Sequence, residues 1–66
     1  MNDDDILLNL AKRLKELRKV KNVTQEQVSI DTGIHIARIE QGKRDISYTT
    51  LLKLAEYFGV GLDKFR

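Results

Sequence analysis

Residues 24–42, TQEQVSIDTGIHIARIEQG, carry two short helix signatures with very few residues between them. Thr24 followed three residues later by Gln27 is typical of a capping box, in which side chains satisfy the free amides at a helix start. Gly42 stands where a left-handed residue ends a helix. Two helices joined by so short a turn meet at a steep angle, and one of them is then presented to a large partner.

Helix periodicity extends over the whole chain, and no segment shows the alternation of a strand. The first helix is predicted over residues 6–19, ending near Asn22, with Asp5 as its N-cap. Its apolar stripe predicts the buried face, made of Leu7, Leu10, Ala11, Leu14, Leu17 and Val20.

Three further helices are predicted from their own caps and stops. Helix 2 covers residues 25–30, and Asp31 or Thr32 caps helix 3, which runs to about Gln41. Within helix 3 the residues expected to face outward are Gly33, Ile34, His35, Arg38 and Gln41, while Ile36 and Ile39 face the core. Helix 4 runs from the cap Ser47 to Gly59, and its predicted core residues are Leu51, Leu54, Ala55 and Phe58. A closing turn or short fifth helix holds Val60, Leu62 and Phe65.

Composition excludes several classes of protein. The 66 residues suffice for one domain, 1–66, in which residues 1–5 form an acidic N-terminal cap. The chain has no cysteine and a single histidine, so we expect neither a metal site nor a cofactor. No stretch approaches the ~20 apolar residues of a membrane span, which favours a soluble, cytoplasmic (nucleoid-associated) protein without a membrane partner. The chain offers no nucleophile–base pair and no glycine-rich phosphate loop, so an enzyme is not expected.

The net charge of +2 is distributed unevenly. Residues 1–11 carry three aspartates and no basic residue, whereas residues 12–44 carry nine basic and four acidic side chains, a net charge of +5. A basic middle of this kind suits a polyanion. The alternative is that these lysines and arginines only solvate the first helix and complement its C-terminal dipole.

Three blocks of sequence resemble the Cro/C1-type (XRE) helix-turn-helix domains of phage repressors and their bacterial relatives. They are LKELRKVKNVTQEQV, RIEQGKRD and TLLKLAEYFGVGLDKF, and they span nearly the whole chain. The resemblance implies a compact, lambda-repressor-like all-α fold of four to five helices. It also implies a sequence-specific regulator of transcription, by default a repressor, that binds double-stranded DNA as a homodimer. No small-molecule effector is expected.

The chain departs from the family pattern by about three missing residues between the TQ pair and the RIE triplet, and by Ile46 where many relatives have proline. The preferred placement of the gap lies between helices 2 and 3, with Thr32 as the cap of helix 3. The alternative placement makes Gly33 the turn glycine and shortens helix 3 itself.

Under the preferred placement, the resemblance assigns base contacts to Gly33, Ile34, His35 and Arg38. An arginine can donate two hydrogen bonds to guanine, and an apolar side chain can pack on a thymine methyl group. Phosphate contacts fall on the residues Gln25, Arg13, Gln41, Lys43 and Arg44.

The resemblance further implies a structural salt bridge between Arg18 and Glu40, which explains an acidic residue so close to phosphates. Tyr57 and Phe65 are assigned either to the core or to a dimer contact. A second function remains open, that of a protein-binding adaptor or antitoxin-like module with secondary DNA contact, because an exposed apolar Ile34 also suits a protein partner.

Overall fold

The computed structural model describes residues 2–66; Met1, the first residue of the predicted acidic cap, lies outside the described part. The elements are α1 (Asp3–Lys21), α2 (Gln25–Thr32), α3 (Ile36–Ile39), α4 (Tyr48–Phe58) and a C-terminal 3-10 helix (Leu62–Phe65). No strand occurs in residues 2–66. The predicted all-α fold is therefore confirmed.

The start of α1 differs from the sequence prediction. The helix begins at Asp3, and its N-cap is Asn2, whose side-chain oxygen accepts the backbone N–H of Asp5 at 2.9 Å. The prediction of Asp5 as the cap was wrong because an amide oxygen three residues earlier already satisfies that amide. Asp5 and its two acidic neighbours lie in the first turn, where the helix dipole favours negative charge.

The helix ends were predicted well where a cap or a glycine marks them. Asn22 ends α1 in the left-handed conformation. Thr24 caps α2 by accepting the N–H of Gln27 at 3.0 Å, and Ser47 caps α4 by accepting the N–H of Thr50 at 3.1 Å. Gly59 ends α4.

The core lies between α1, α4 and the 3-10 helix, and α2 and α3 close it. Its fully buried side chains are Leu14, Val28, Ile36 and Leu54. Val20 is an exception to the predicted stripe, since 85% of it is exposed. It lies about 200° around the helix from Arg18, the residue of this turn that faces α3, and so does not pack against α3.

Within residues 2–66, no helix has the length and apolar character needed to cross a bilayer.

Candidate nucleic-acid interface

The turn between α2 and α3 corrects the preferred gap placement. Helix α2 continues to Thr32, and Gly33 ends it with φ +75°, a conformation that glycine adopts without steric cost. Helix α3 begins only at Ile36 and has four residues. The structure therefore agrees with the alternative placement, in which Gly33 is the turn glycine and helix 3 is the shortened element.

Two hydroxyl groups of α2 hold this turn. The Thr32 hydroxyl donates to the carbonyl of Val28 at 2.7 Å and accepts the N–H of Ile34 at 3.1 Å. The Ser29 hydroxyl donates to the carbonyl of Ile34 at 3.0 Å. Both backbone groups of Ile34 are thus paired with α2 side chains. Thr32 is therefore not the cap of α3, because its hydroxyl is used inside the turn, and Asp31 lies within α2.

Helix α3 presents one face to the core and another to solvent. Ile36, Ile39 and Glu40 are buried, at the spacing i, i+3 and i+4 of one helix face. The exposed residues of α3 and its two ends form what we call the reading face: His35, Ala37, Arg38 and Gln41. Ala37 was missed by the sequence prediction, although the spacing of the buried residues was a signal that could have found it.

Gly33 and Ile34 occupy different places from those predicted. Gly33 is exposed but belongs to the end of α2, before the reading face begins. Ile34 is partly buried and packs against the core, so it does not face outward. The exposed apolar Ile34 that suited a protein partner is therefore absent, and with it the argument for an adaptor.

Glu40 lies beneath the reading face and is held by three hydrogen bonds. Arg18 donates from Nε to Oε2 at 2.5 Å and from Nη2 to Oε1 at 2.8 Å, and the Gln25 amide donates to Oε1 at 3.1 Å. The side chain of Glu40 is 1% exposed and that of Arg18 is 18% exposed. The expected Arg18–Glu40 salt bridge is thus present in the structure.

This ion pair has a consequence for both of its partners. The pKa of Arg18 is raised above its usual value, because Glu40 accepts hydrogen bonds from the charged guanidinium. A third Arg18 nitrogen donates to the carbonyl of Val23 at 3.3 Å, so the same guanidinium also holds the link between α1 and α2. Arg18 thereby neutralises a carboxylate that would otherwise repel a polyanion.

The predicted phosphate-binding residues fall into two groups. Lys43 and Arg44 are exposed in the loop after α3, and neither forms an ion pair or a side-chain hydrogen bond among residues 2–66. Gln41 is likewise exposed beside them, while Gln25 gives one amide hydrogen to Glu40 and keeps the second. Gln41 thus belongs to the reading face, and the other three residues lie beside it.

Arg13 does not belong with that group. Its guanidinium donates to the backbone carbonyl of Arg66 at 3.2 Å and pairs with Glu16 at 3.1 Å. Arg13 is five residues from Arg18, which places it about 140° around α1 from the side that faces α3. The structure ties Arg13 to the C-terminal end of the chain and gives no support to its assignment to a phosphate.

The start of the loop requires a glycine for a second reason. Gly42 has φ +76°, and a methyl group added there would lie 2.8 Å from Cδ2 of Leu8 and 3.5 Å from the Leu8 Cα. The loop that carries Lys43 and Arg44 is therefore packed closely onto α1 at its first residue.

The two aromatic residues assigned to the core or to a dimer are both engaged within the chain. Phe65 is buried in the core with 8% of it exposed, which leaves almost no surface for a partner. Tyr57 is half-buried, and its hydroxyl donates to Asp31 Oδ2 at 2.6 Å. Both rings therefore contribute to the fold of this chain, and the dimer contact stays a prediction.

The side chains of the reading face carry several kinds of hydrogen-bonding group. Among residues 2–66, no three His, Cys, Asp or Glu side chains are grouped so that they could hold a metal ion. The reading face combines a guanidinium, an imidazole, a methyl group and an amide, which are the groups that recognise base edges.

Comparison with known proteins gives independent information. Residues 11–65 match the family model described as a helix-turn-helix domain. The chain is 30% identical over 63 residues to the control protein C.SmaI of Serratia marcescens, covering 91% of this chain and 75% of that protein. It is 35% identical over 57 residues to an uncharacterized HTH-type transcriptional regulator, MJ0272 of Methanocaldococcus jannaschii, covering 82% of this chain and 86% of that protein. No solved structure matches the chain.

Proposed function

We propose a mode of operator binding from one premise: the chain belongs to the Cro/C1-type (XRE) helix-turn-helix family and is a DNA-binding transcriptional regulator. In this mode α3 lies in the major groove of duplex DNA, with α2 across the adjacent backbone. One observation carries the proposal. The reading face continues directly into two exposed cations, Lys43 and Arg44, which have no ion-pair partner among residues 2–66, and the carboxylate beneath the reading face, Glu40, is neutralised.

The base contacts come from the first turn of α3. Arg38 donates a bidentate pair to guanine O6 and N7, and His35 donates to a base acceptor or an adjacent phosphate. Ala37 is the only apolar group on the reading face, and its methyl group packs against a thymine methyl. Gly33 takes no part because its position belongs to the α2 end.

The phosphate contacts flank these residues on both sides. Lys43 and Arg44 bind the backbone after α3, and Gln41 joins them. On the other side, the second amide hydrogen of Gln25 donates to a phosphate while the first stays on Glu40. Contacts of this kind position α3 in the groove and set affinity, but they carry little sequence information.

The regulator acts as a homodimer on a palindromic or near-palindromic operator, with two α3 helices one helical turn of DNA, ~34 Å, apart. Repression by blocking polymerase access is the default outcome of such binding. The similarity to a protein named as a control protein supports a regulatory role. We expect regulation through the regulator's own concentration, without a small-molecule effector. The site in this proposal is a binding site in the cytoplasm and performs no catalysis.

Selection of bound duplexes from a random or genomic library tests the proposal most directly. We expect a recovered motif of two related half-sites about 10 base pairs apart, centre to centre. The recovered spacing gives the stoichiometry, which analytical ultracentrifugation of the protein–DNA complex then checks. A purified protein that shifts no fragment at low salt would overturn the DNA-binding mode.

Single substitutions separate the two groups of contacts. His35→Ala and Arg38→Ala should change base preference at one position each, whereas Lys43→Ala and Arg44→Ala should weaken all sequences alike. Each of the latter two should also lower the slope of log K against log salt by about one. Arg13→Ala is the matched control, a lost arginine away from the interface, and should leave the slope unchanged. Identical behaviour of the two groups would contradict the assignment.

A further inference from the structure

We propose that Tyr57 and Asp31 form a positioning pair, which fixes the last turn of α2 and thereby the orientation of α3 for operator binding. The inference rests on the proposed function and names two residues for it that touch no DNA. Both lie outside the reading face and outside the phosphate-binding loop. The pair joins the end of α4 to the end of α2.

The contacts around this pair bring three helices together. The Tyr57 hydroxyl donates to Asp31 Oδ2 at 2.6 Å, and the Gln27 amide donates to Asp31 Oδ1 at 2.7 Å. Lys21, the last residue of α1, has its ammonium nitrogen 4.9 Å from the centre of the Tyr57 ring. The ring also meets Phe58 edge-on at 5.1 Å between centroids. Both oxygens of Asp31 are thus used, and the tyrosine is held on its face as well as at its hydroxyl.

The position of Asp31 in the chain gives the pair its role. Asp31 lies two residues before Gly33, in the turn of α2 whose Ser29 and Thr32 hydroxyls hold both backbone groups of Ile34. The α2–α3 turn is therefore attached to the last turn of α2, and a shift of that turn moves α3 with it. The Tyr57–Asp31 hydrogen bond ties this same turn to α4.

The charge of Asp31 allows positioning to be separated from direct electrostatics. A carboxylate near DNA repels phosphate, so its removal by itself should strengthen binding to every sequence. Positioning predicts the opposite for the operator, because α3 then samples orientations in which its side chains miss the base edges. A loss of operator preference on removal of an acidic residue is therefore the signature of the pair.

The test compares Tyr57→Phe, Asp31→Ala and the double variant with the unmodified protein. Fluorescence anisotropy measures binding to the selected operator and to a scrambled duplex, at a temperature where circular dichroism shows every variant to be folded. Each single variant should lower the operator-to-scrambled affinity ratio by about three- to tenfold, the range of one hydrogen bond. The double variant should lose no more than the larger single loss, and the salt slope should stay unchanged. Tyr48→Phe, at an exposed tyrosine of α4, is the matched control and should keep the full ratio.

The remaining outcomes overturn the inference. The operator-to-scrambled affinity ratio could stay at the value of the unmodified protein in both single variants. The pair would then have no positioning role, whether or not the melting temperature falls. Losses that add fully in the double variant show that the two residues act separately. If the unmodified protein itself shows no preference for the operator, the proposed function is wrong. This result is distinct from failure of the positioning pair, because it is obtained without any variant.

Discussion

The scaffold of this domain and its recognition segment share one apolar core but differ in what fixes their geometry. The scaffold, which we define as α1, α4 and the 3-10 helix, buries apolar side chains such as Leu14 and Leu54. The recognition segment, residues 24–42, contains a helix of eight residues and one of four. It contributes Val28 and Ile36 to the same core, but its geometry also depends on side-chain hydrogen bonds from Arg18, Ser29 and Thr32.

This difference predicts which substitutions change only the stability of the domain and which also change DNA binding. Apolar burial is non-directional and scales with area, so the core to which both regions contribute supplies most of the free energy of folding. Hydrogen bonds are directional and contribute less net energy, but they specify orientation. Changes in the scaffold should therefore act mainly on unfolding, and changes in the recognition segment on binding as well.

The largest effect is expected from truncation within the scaffold. Leu54→Ala removes a side chain with no exposed surface and leaves a cavity, at a cost of about 3–4 kcal/mol. A domain of this size has little more stability than that, so the variant should be largely unfolded at 37 °C. Urea denaturation followed by circular dichroism measures the change. Ile30→Ala, at a residue 69% exposed, is the control and should cost less than about 0.5 kcal/mol. Equal losses in both would remove the distinction between core and surface.

The next largest effect is expected from loss of the Arg18–Glu40 ion pair, which ties the recognition segment to α1. Glu40→Gln removes the charge that pairs with Arg18, and breaking a buried pair leaves the other charge uncompensated. We expect a loss of about 3 kcal/mol, at the low end for buried pairs because Arg18 is partly exposed. Operator affinity should fall in the protein that remains folded. Glu26→Gln changes an exposed carboxylate of α2 and provides the comparison. If Glu40→Gln leaves both stability and operator binding unaltered, the ion pair does not hold the recognition segment in place.

Two glycines allow the regions to be compared at equal backbone strain. Gly33 and Gly59 both have positive φ, +75° and +69°, and an added methyl group at either meets no atom within 4 Å. Alanine at each position should cost about 1 kcal/mol of stability. Gly33→Ala should in addition lower operator affinity, because Gly33 sets the path from α2 into α3, whereas Gly59→Ala should not. Thermal melts and anisotropy on the two proteins decide this; a matching fall in affinity for both would contradict the division.

The smallest effect concerns alkaline pH. The pKa of Tyr57 is raised above its ordinary value of about 10, because its hydroxyl donates to the Asp31 carboxylate. A raised folded-state pKa means that the stabilisation is complete below the unfolded pKa and is lost as pH rises through the folded one. The stability difference between the unmodified protein and Tyr57→Phe should therefore shrink above pH 10. Denaturation curves of the two proteins at pH 8.5 and at higher pH provide the measurement, and a constant difference would contradict the hydrogen bond.

The scaffold was predictable because its signals are local. The α4 core face and the ends of the helices at Asn22 and Gly59 follow from periodicity and from cap residues. The same rule failed at Val20, which periodicity places on the buried face although 85% of it is exposed.

The α2–α3 turn was less predictable because its determinants are pairwise and not local. Thr32 carries a strong cap signal, yet its hydroxyl pairs with Val28 and Ile34 within the turn. Propensity alone cannot distinguish a hydroxyl that starts a helix from one that closes the preceding turn. The contact of Arg13 with the carbonyl of Arg66 joins residues 53 positions apart, so no local sequence pattern could predict it.

The four-residue length of α3 sets a limit on how much sequence one subunit can distinguish. A helix of four residues rises about 6 Å, which is less than two steps of a DNA duplex at about 3.4 Å each. A fully specified base pair carries two bits of information, so one subunit that reads about three pairs supplies roughly six bits. Singling out one site among about a million competing positions requires roughly twenty bits. In the proposed binding mode a single subunit is far short of that figure, and a homodimer comes to about twelve bits, so the remainder must come from the flexibility of the DNA or from further subunits bound side by side.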